Sequence, residues 1–496
     1  MHENNIKEII IVGGGTAGWM TAAALANKLP NKNFNITLIE SDAIGTVGVG
    51  ESTLPHIKQF NDLLGISESE FIQATDATIK LAIQFKDWAN INDVYMHPFS
   101  DIGHVTQGID FHHYWLKSQQ MANKSSLDEY SVAAVAGYAK RFSPPSNNKA
   151  SLLSAYNYSY HINATAYARF LRGYAEKKQV RRIEGKVIQV AQENTRNFIE
   201  AVMLENGHEV TGDLFIDCSG FSGLLIDKTL SSPFIDWSHW LPTDSAVVVQ
   251  SEREIALNPY TIATARSAGW QWQIPLQHRM GNGHVFSSHY MTEQQALDIL
   301  MSTLPGKPTT EPRLLNFRAG CREKAWEKNC VAIGLSAGFL EPLESTSIFL
   351  IQMGIIKLLE FFPNNKFYQV GIDQYNQTMK RHYEKIRNFI ILHYHVTKRD
   401  DTEFWRYCRN MTIPNELEHL LCLFKEGGRV DRSQFGIWPA VCIGQGLIPE
   451  QYDARIDNLD YSKIEKYLSH YRGQVRDVVN TLPTVERYIH HVMRSA

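Results

Sequence analysis

Apolar runs broken by glycine and proline open the chain. Residues 8–12 are apolar and rich in β-branched side chains, Gly13-Gly14-Gly15 interrupts them, and residues 17–29 form an alanine-rich stretch that Pro30 ends. This pattern predicts a strand, a tight turn and a helix. Residues 35–40 form a second apolar run. The resulting βαβ unit is the usual start of a doubly wound α/β sheet.

Three later segments repeat the strand pattern, whereas the end of the chain departs from it. Residues 185–190, 214–217 and 330–333 are apolar runs that lead into turns containing glycine or serine. We therefore expect a sheet assembled from segments that lie far apart in the sequence. After residue 360, mixed stretches rich in Lys, Glu, Arg, Tyr and Leu predict helices. The prediction is an interleaved module over residues 1–360 and a helical module over residues 361–496.

Composition narrows the class of ligand. Of the 496 residues, 44% are apolar and 20% are charged, and no run approaches the roughly 20 apolar residues that cross a bilayer. The first residues lack the basic segment of a secretory signal, so we expect a cytoplasmic protein without a membrane partner. A net charge of -3 with dispersed Lys and Arg argues against nucleic acid. The six cysteines form no Cys-x-x-Cys pair, so a zinc site is not predicted.

Gly13, Gly15 and Gly18 have the spacing of a dinucleotide-binding turn. They follow a predicted strand and open a predicted helix, and Glu40 ends the next strand about 20 residues later. In such turns the first glycine permits the turn, the second lets the backbone approach a pyrophosphate, and the third lets the helix pack on the sheet. Glu40 is the expected acceptor for a ribose hydroxyl. FAD and NAD share this fingerprint, and a glycine turn without a ligand is the alternative.

Two further strands lead into small residues, as where flavoprotein sheets approach their cofactor. They lie within residues 214–220 and 331–338, although a strand followed by glycine is common. No second Gly-x-Gly-x-x-Gly follows a predicted strand. A flavin bound by this chain would therefore need a separate flavin reductase.

Five segments spread over most of the chain carry a more specific pattern. They are Gly13–Met20, Gly48–Thr53, Thr78–Ile83, Gly269–Pro275 and Glu341–Thr346. Together they resemble the flavin-dependent tryptophan halogenase family. The Trp-x-Trp-x-Ile-Pro block is the most specific of them, although alternating aromatic residues also suit a strand that faces a core. The resemblance implies an α/β fold with a Rossmann-type FAD-binding domain of the flavin monooxygenase kind, a substrate sheet and a helical C-terminal module.

The resemblance also implies a reaction. Reduced FAD, oxygen and chloride or bromide give hypohalous acid, which halogenates an electron-rich arene such as an indole or tryptophan. Lys80 and Glu344 are implied to be catalytic: Lys80 holds the hypohalous acid, and Glu344 polarises it or takes the ring proton. The residues alone favour a snorkelling surface side chain for Lys80 and a carboxylate at a helix start for Glu344.

The halide site implied by the resemblance consists of the backbone amides of Thr346 and Ser347. Amides at the start of a helix hold anions in general. The best-known members of the family have glycine where this chain has Ser347. The added side chain leaves the choice between chloride and bromide open.

For the flavin, the resemblance implies a set of small and apolar residues near the N-terminus and in three later segments. These are Gly14, Ala17, Ser41, Ile44, Val47, Ser52, Val187, Leu335 and Ile348. Small residues suit the role because a planar ring and a pyrophosphate need close approach of the backbone.

For the arene, the resemblance implies His97 and Phe99 as stacking surfaces, with Trp270 and Trp272 between the flavin and the substrate. A loop histidine beside a core phenylalanine is an equal alternative for the first pair. Tryptophan-specific members carry a Tyr-Tyr pair and further anchors for the amino acid, but this chain has the shorter segment 437–444. Two alternatives for the substrate therefore stay open: free tryptophan, or a range of indoles and phenols bound in a broader pocket.

Two other activities stay open at this stage: an FAD-dependent aromatic hydroxylase on the same fold, and a non-catalytic flavin-binding protein. A homodimer is implied by the resemblance alone. His112-His113 and His393-Tyr394-His395 invite a metal site, but neighbours one or two apart on a helix point to different faces. We therefore expect structural roles for these histidines.

Overall fold

The computed structural model describes residues 6–30, 32–44, 50–121, 124–253, 256–364 and 366–494. Contacts divide the chain into two units, each assembled from three segments. The first unit contains residues 1–76, 162–239 and 317–384, and the second contains residues 77–161, 240–316 and 385–496.

Strands and helices are interspersed up to residue 180, strands predominate over residues 181–339, and α-helices follow from residue 347. The strands are β1 (Glu8–Val12), β2 (Asn35–Glu40), β3 (Gly50–Ser52), β4 (Thr78–Lys80), β5 (Ala82–Lys86), β6 (Val94–Pro98), β7 (Ser159–Asn163), β8 (Arg181–Glu184), β9 (Val187–Gln192), β10 (Ile199–Leu204), β11 (Glu209–Thr211), β12 (Leu214–Asp217), β13 (Phe234–Asp236), β14 (Ser245–Ser251), β15 (Tyr260–Arg266), β16 (Gly269–Pro275), β17 (Met280–Phe286), β18 (Arg313–Asn316), β19 (Gly320–Arg322), β20 (Trp326–Glu327), β21 (Cys330–Ala332) and β22 (Gly338–Phe339). The α-helices are α1 (Thr16–Lys28), α2 (His56–Leu64), α3 (Glu68–Thr75), α4 (Phe111–Gln120), α5 (Val132–Tyr138), α6 (Ala164–Lys177), α7 (Glu293–Ser302), α8 (Ser347–Glu360), α9 (Gln369–His395), α10 (Glu403–Asn410), α11 (Asn415–Gly427), α12 (Trp438–Gly444), α13 (Tyr461–Thr481) and α14 (Val485–Arg494).

A parallel sheet forms the core of the first unit. Its strand order is β20-β21-β12-β1-β2-β8, with only β20 antiparallel. Ile9 of β1 pairs with Ile36 of β2 on one side and with Leu214 of β12 on the other. The central strands are almost continuously apolar because a parallel sheet is covered on both faces. The predicted α/β fold with a Rossmann-type sheet built from distant segments is confirmed.

One strand predicted for this sheet lies elsewhere. The prediction placed a sheet strand at residues 185–190, but the chain leaves the parallel sheet after β8 and re-forms as β9 in a separate antiparallel sheet, β11-β10-β9. Val190 pairs there with Val202. The apolar pattern identified a strand correctly but could not choose its partner, because pairing depends on residues far along the chain.

A seven-stranded sheet forms the core of the second unit. Its order is β18-β14-β17-β16-β15-β5-β6, and β5 and β15 are the parallel pair. The strands β16 and β17 pair from Gly269 to Pro275. Because side chains alternate along a strand, Trp270 and Trp272 share one face of this sheet, and Gln271 lies on the other.

The C-terminal part is helical, as predicted. The described residues after 360 contain six α-helices, α9 to α14, and no β-strand. The units do not divide at residue 360, because residues 361–384 group with the first unit and residues 385–496 with the second. The division between residues 384 and 385 falls within helix α9. The predicted module boundary therefore does not coincide with a boundary between the units. No helix within the described ranges combines the length and the apolar character that crossing a membrane would require.

Candidate active site

The turn between β1 and α1 has the backbone geometry that its glycines predict. Gly13 has a φ of +113°, and a Cβ there would lie 2.2 Å from the carbonyl oxygen of Cys218. A Cβ on Gly18 would lie 1.9 Å from the carbonyl oxygen of Gly13. A Cβ on Gly15 would meet no atom of the described residues within 4 Å. The first and third glycines are thus required by the protein itself, whereas the space beside Gly15 is open for a ligand, which fits the pyrophosphate of FAD.

Glu40 lies at the end of β2, where the sequence predicted an acceptor for ribose. Its Oε1 accepts a hydrogen bond of 2.5 Å from Nε of Arg182, and its Oε2 accepts one of 3.2 Å from Nε1 of Trp19. Arg172 lies 3.5 Å from Oε1. A Cβ on Gly14 would lie 1.5 Å from Oε2. The carboxylate is therefore held in place beside the glycine turn, and its further lone pairs are those a ribose hydroxyl could use.

Sequence reasoning missed Arg182. It lies in β8, where Leu38 is its partner in the register, and it also donates to Asp42 and Glu184. The arginine stands in no motif, because only the pairing of β2 with β8 brings it to Glu40.

The structure brings the later strand ends to the glycine turn. The hydroxyl of Ser336 donates to the carbonyl oxygen of Asp217 at 2.5 Å, which joins the ends of β12 and β21. A Cβ on Gly334 would lie 2.8 Å from Cβ of Ala17, so the turn that contains Leu335 lies against the start of α1. The predicted flavin residues Ala17 and Leu335 are thus neighbours.

The remaining predicted flavin residues lie in several elements. Ser41 and Ile44 follow β2, and Ile44 is 62% exposed; Ser52 lies in β3, Ile348 in α8 and Val187 in β9. Val187 belongs to the separate antiparallel sheet. Val47 lies outside the described residues. The structure thus groups Gly13, Gly14, Gly15, Gly18, Ala17, Glu40 and Leu335, and it does not place Val187 in their sheet.

Glu344 and the predicted halide residues form a sharp turn into α8. Glu344 is fully buried and ends the short 3₁₀ turn Pro342–Glu344. Ser345 has a φ of +60°, a strained conformation for a residue with a side chain. Thr346 is the N-cap of α8, and its buried hydroxyl has no hydrogen-bond partner among the described residues. The first backbone amides of any α-helix have no acceptor within the helix, and in α8 these include the amide of Ser347. Such amides are available to bind an anion.

Lys80 is fully buried in the second unit, at the end of β4. Its Nζ lies 4.7 Å from the centre of the Phe99 ring. The alternative of a snorkelling surface lysine is therefore wrong. A buried ammonium group is costly to desolvate and is typically retained at functional sites.

Phe99 lies beside this lysine, and His97 precedes Phe99 by two residues in β6, which pairs in register with β5. Ile83 pairs with His97, and the amide of Phe99 donates to the carbonyl oxygen of Leu81 at 2.8 Å. The amide of Ile437, which precedes α12, donates to Nε2 of His97 at 3.1 Å. The His97 ring also packs 5.3 Å from that of Phe389. The segment 437–444, which differs from that of tryptophan-specific members, thus begins with a residue that is hydrogen-bonded to the predicted substrate residue His97.

Trp270 and Trp272 form a buried pair in β16, with ring centres 5.9 Å apart. Trp272 packs on Gly283, where a Cβ would lie 2.1 Å from the indole ring. Its Nε1 finds no hydrogen-bond acceptor in the described part of the chain. Both tryptophans face away from α7, since Gln271 between them accepts a hydrogen bond from Thr303 just after that helix.

Sequence reasoning also missed His161, which lies in β7 opposite Thr78 of β4. It is fully buried, and burial, together with the charge of Lys80, lowers its pKa well below the usual value. The alternation of apolar and polar residues over 159–163 predicts a strand but not its partner. The pairing of this strand with β4 joins residues about 80 positions apart, which local pattern does not reveal.

The histidine pairs set aside as metal sites have structural partners. Nε2 of His112 lies 2.7 Å from the carbonyl oxygen of Gly428, and Nδ1 of His113 accepts a hydrogen bond from the amide of Asp453. Nδ1 of His393 donates to the carbonyl oxygen of Phe389 at 2.7 Å. His395 follows at the end of α9. These contacts join helices and loops of the second unit.

A Rossmann-type unit with a glycine-rich turn open at Gly15 is typical of an enzyme that binds a dinucleotide cofactor such as FAD or NAD. The chain also has a fully buried lysine beside the Phe99 ring. The family model for tryptophan halogenases matches residues 8–461. The tryptophan 6-halogenase SttH of Streptomyces toxytricini is 33% identical, over 98% of both chains. The chain belongs to the tryptophan halogenase family.

Two solved structures are similar over the same length. The flavin-dependent halogenase BrvH from Brevundimonas sp. BAL3 is 43% identical with a TM-score of 0.94, covering 98% of this chain and 99% of that one. Xcc4156, a flavin-dependent halogenase from Xanthomonas campestris, is 41% identical with a TM-score of 0.95 and covers 98% of each chain. The protein is thus a flavin-dependent halogenase, an oxidoreductase that uses reduced FAD with chloride or bromide. These comparisons give no support to a hydroxylase or a non-catalytic flavoprotein.

Proposed function

We propose that the protein halogenates an electron-rich arene of the indole class, and that Lys80 presents the electrophilic halogen to the ring. The observation that carries this proposal is the full burial of Lys80 beside Phe99, with His97 two residues before that phenylalanine. A flat arene that stacks on these rings is held within reach of the ammonium group.

The nucleotide site proposed for FAD consists of the glycine turn, Glu40 and the Gly334–Ser336 turn. Gly15 admits the pyrophosphate, Glu40 accepts from a ribose hydroxyl, and small residues at Ala17 and Gly334 let the backbones approach. When bound and reduced, FAD supplies with oxygen the oxidising equivalents that convert the halide into hypohalous acid. We assign the reduction of FAD to a separate flavin reductase, because the sequence has no second dinucleotide motif.

The halide is proposed to bind at the amides of Thr346 and Ser347. The turn through Ser345 exposes these amides at the start of α8, where the helix dipole favours an anion. The buried hydroxyl of Thr346 is a further donor at this point. Glu344, buried one turn earlier, is proposed to act on the hypohalous acid or on the ring proton, rather than to cap the helix.

The transfer of the halogen to the ring consumes only the arene and hypohalous acid. The ring carbon takes the halogen from the oxygen of hypohalous acid, the O–X bond breaks, and the ring loses one proton. That proton and the hydroxide released combine as water. Lys80 acts by donating a hydrogen bond to the oxygen that leaves, or as an amine that carries the halogen, and Glu344 is the proposed acceptor of the ring proton.

We propose that the preferred arene is a simple indole, or a larger molecule that contains an indole, and that free tryptophan is a poorer substrate. SttH is named for tryptophan, whereas the more similar BrvH and Xcc4156 are described only as flavin-dependent halogenases. Ile437 binds His97 through its backbone, and α12 begins at the next residue. No Tyr-Tyr pair lies in residues 437–444. The cytoplasmic location and the homodimer stay predictions.

The test is mass spectrometry of indole, tryptophan and a set of phenols after incubation with the protein, FAD, a flavin reductase, NADH, oxygen and either halide. We expect a bromine or chlorine isotope pattern on indole at a higher rate than on tryptophan. Lys80→Met keeps the volume of the side chain and removes the amine, so it should abolish halogenation while FAD still binds.

Lys117→Met, on α4 of the same unit, is the matched control and should retain activity. Oxygen added without halogen would identify a hydroxylase. Full halogenation by Lys80→Met would remove Lys80 from the mechanism, and a strict requirement for tryptophan would overturn the proposed substrate class.

A further inference from the structure

His161 lies diagonally across two paired strands from Lys80. In the antiparallel pair of β4 and β7, Thr78 is opposite His161 and Lys80 is opposite Ser159. Side chains two residues apart on a strand point to the same face, so all four residues share one face of the pair. His161, Lys80 and Ser159 are fully buried, and Thr78 is nearly so.

A chain of hydrogen bonds fixes the protonation of this histidine. The hydroxyl of Thr78 donates its only proton to the carbonyl oxygen of Pro275, at 2.6 Å. The 3.1 Å contact between Thr78 Oγ1 and Nδ1 of His161 must therefore have Nδ1–H as the donor. Nε2 of the neutral ring is then the acceptor, and it lies 3.0 Å from the hydroxyl of Thr261.

This chain joins the strand of Lys80 to the strand of the two tryptophans. Pro275 is the last residue of β16, which carries Trp270 and Trp272, and Thr261 lies in the adjacent strand β15. His161 thus binds β4 to β15 directly, and Thr78 binds β4 to β16. Lys80 follows Thr78 by two residues, so its backbone position depends on these contacts.

The charge of the histidine also bears on the lysine. Burial and the nearby positive charge of Lys80 both keep the His161 ring neutral by lowering its pKa. A proton on His161 would place a second positive charge beside that of Lys80 in a buried site, where charge repulsion is strong. A neutral ring with both nitrogens bonded avoids that repulsion.

We propose that His161 is a positioning residue for Lys80, holding β4 in register through Thr78 and Thr261 without adding a second positive charge. This inference rests on the proposed role of Lys80. Its effect is on the delivery of the halogen to the arene, whereas the formation of hypohalous acid depends on the nucleotide site of the first unit.

The test compares those two quantities in the complete enzyme with FAD, reductase, NADH, bromide and indole. One measurement is bromoindole formed per NADH consumed, and the other is free hypobromous acid captured by a trapping reagent. His161→Phe keeps a flat ring and removes both hydrogen bonds. We expect it to lower bromoindole per NADH by about tenfold, as for the loss of a buried hydrogen bond, and to raise the trapped acid.

Two further substitutions test how the coupling of halogenation to NADH consumption depends on the hydrogen bonds of His161. His161→Asn retains an N–H near the position of Nδ1, so it should keep a larger share of coupled halogenation than His161→Phe. Thr78→Val removes the partner of Nδ1 with little change in shape, and it should reproduce the loss even if His161→Phe does not fold. His113→Asn, which replaces another buried histidine of the same unit, is the control and should leave the coupling unchanged.

The outcomes separate this inference from the proposed function. If Lys80→Met retains halogenation, the proposed role of the lysine fails. If Lys80→Met is inactive while His161→Phe and Thr78→Val keep wild-type coupling, only the inference about His161 fails. A parallel loss of trapped acid and bromoindole in the His161 and Thr78 variants would indicate general damage and would also overturn it.

Discussion

The side-chain nitrogen Nζ of Lys80 lies 4.7 Å from the centre of the Phe99 ring. The contact follows from the pairing of β5 and β6, since the amide of Phe99 is bonded to the carbonyl oxygen of Leu81, the next residue after Lys80. A cation near an aromatic face is stabilised by the ring, and more strongly where water is excluded. The ring proposed to stack on the arene therefore also contacts the group proposed to carry the halogen.

Phe99→Leu should weaken halogenation without abolishing it. Leucine fills much of the space but offers neither a stacking surface nor a negative ring face to Lys80. Since such an interaction amounts to about 1–2 kcal/mol when buried, we expect kcat/KM for indole to fall about tenfold. Steady-state kinetics with bromide check this. An unchanged kcat/KM would show that the contact has no part in the reaction.

Gly15→Val should abolish FAD binding while the protein stays folded. Gly15 has a φ of -74°, which valine tolerates, and a Cβ there would have no neighbour within 4 Å in the part of the chain that the structure describes. The added side chain would occupy the space proposed for the pyrophosphate. Thermal unfolding and titration with FAD give the two measurements. Gly13→Val is the contrasting variant, because its Cβ would collide with Cys218 and should destabilise the fold itself.

Gly283→Ala should destabilise the second unit by displacing Trp272. The new Cβ would lie 2.1 Å from the indole ring, so the tryptophan or the strand must move. Overpacking of this kind costs about 1–3 kcal/mol, which chemical denaturation can measure. Gly173→Ala is the matched control, since Gly173 lies in α6 and a Cβ there would meet no described atom within 4 Å. That variant should be slightly more stable than the wild type.

The stability of the protein should fall in mild acid, in part through His113. Burial, followed by the charges of His112 and Arg429, lowers the pKa of His113 to about 4, whereas an unfolded histidine titrates near about 6.5. Between these values the unfolded chain binds more protons, so the free energy of unfolding decreases as the pH falls.

The comparison of His113→Asn with the wild type isolates this contribution. The wild type should lose about 1 kcal/mol more than the variant between about pH 6.5 and 5, after allowance for solvent screening. Glu51 acts in the opposite direction, because burial raises its pKa to about 7, so the absolute slope is not diagnostic. Equal slopes for the two proteins would contradict the assignment of a neutral His113.

The start of the first unit could be predicted from local pattern. The apolar run of β1, the glycine turn, α1 and β2 are encoded within about 35 residues, since backbone conformation there depends on near neighbours. The same reasoning failed for residues 185–190, because an apolar pattern specifies a strand but does not specify its partner. Arg182 could not be predicted beside Glu40 for the same reason.

The sequence by itself determined the α/β class, the open glycine turn, the helical C-terminal region and, through the Trp-x-Trp-x-Ile-Pro and Lys80 motifs, the halogenase family. Only the tertiary structure decided that Lys80 is buried, that Phe99 faces its ammonium group, and that His161 links β4 to β15. The contacts of His161 and Thr78 join segments about 80 to 200 residues apart, whereas the contact of Lys80 with Phe99 depends on how the neighbouring strands β5 and β6 pair. Local propensity carries no information on which segments meet.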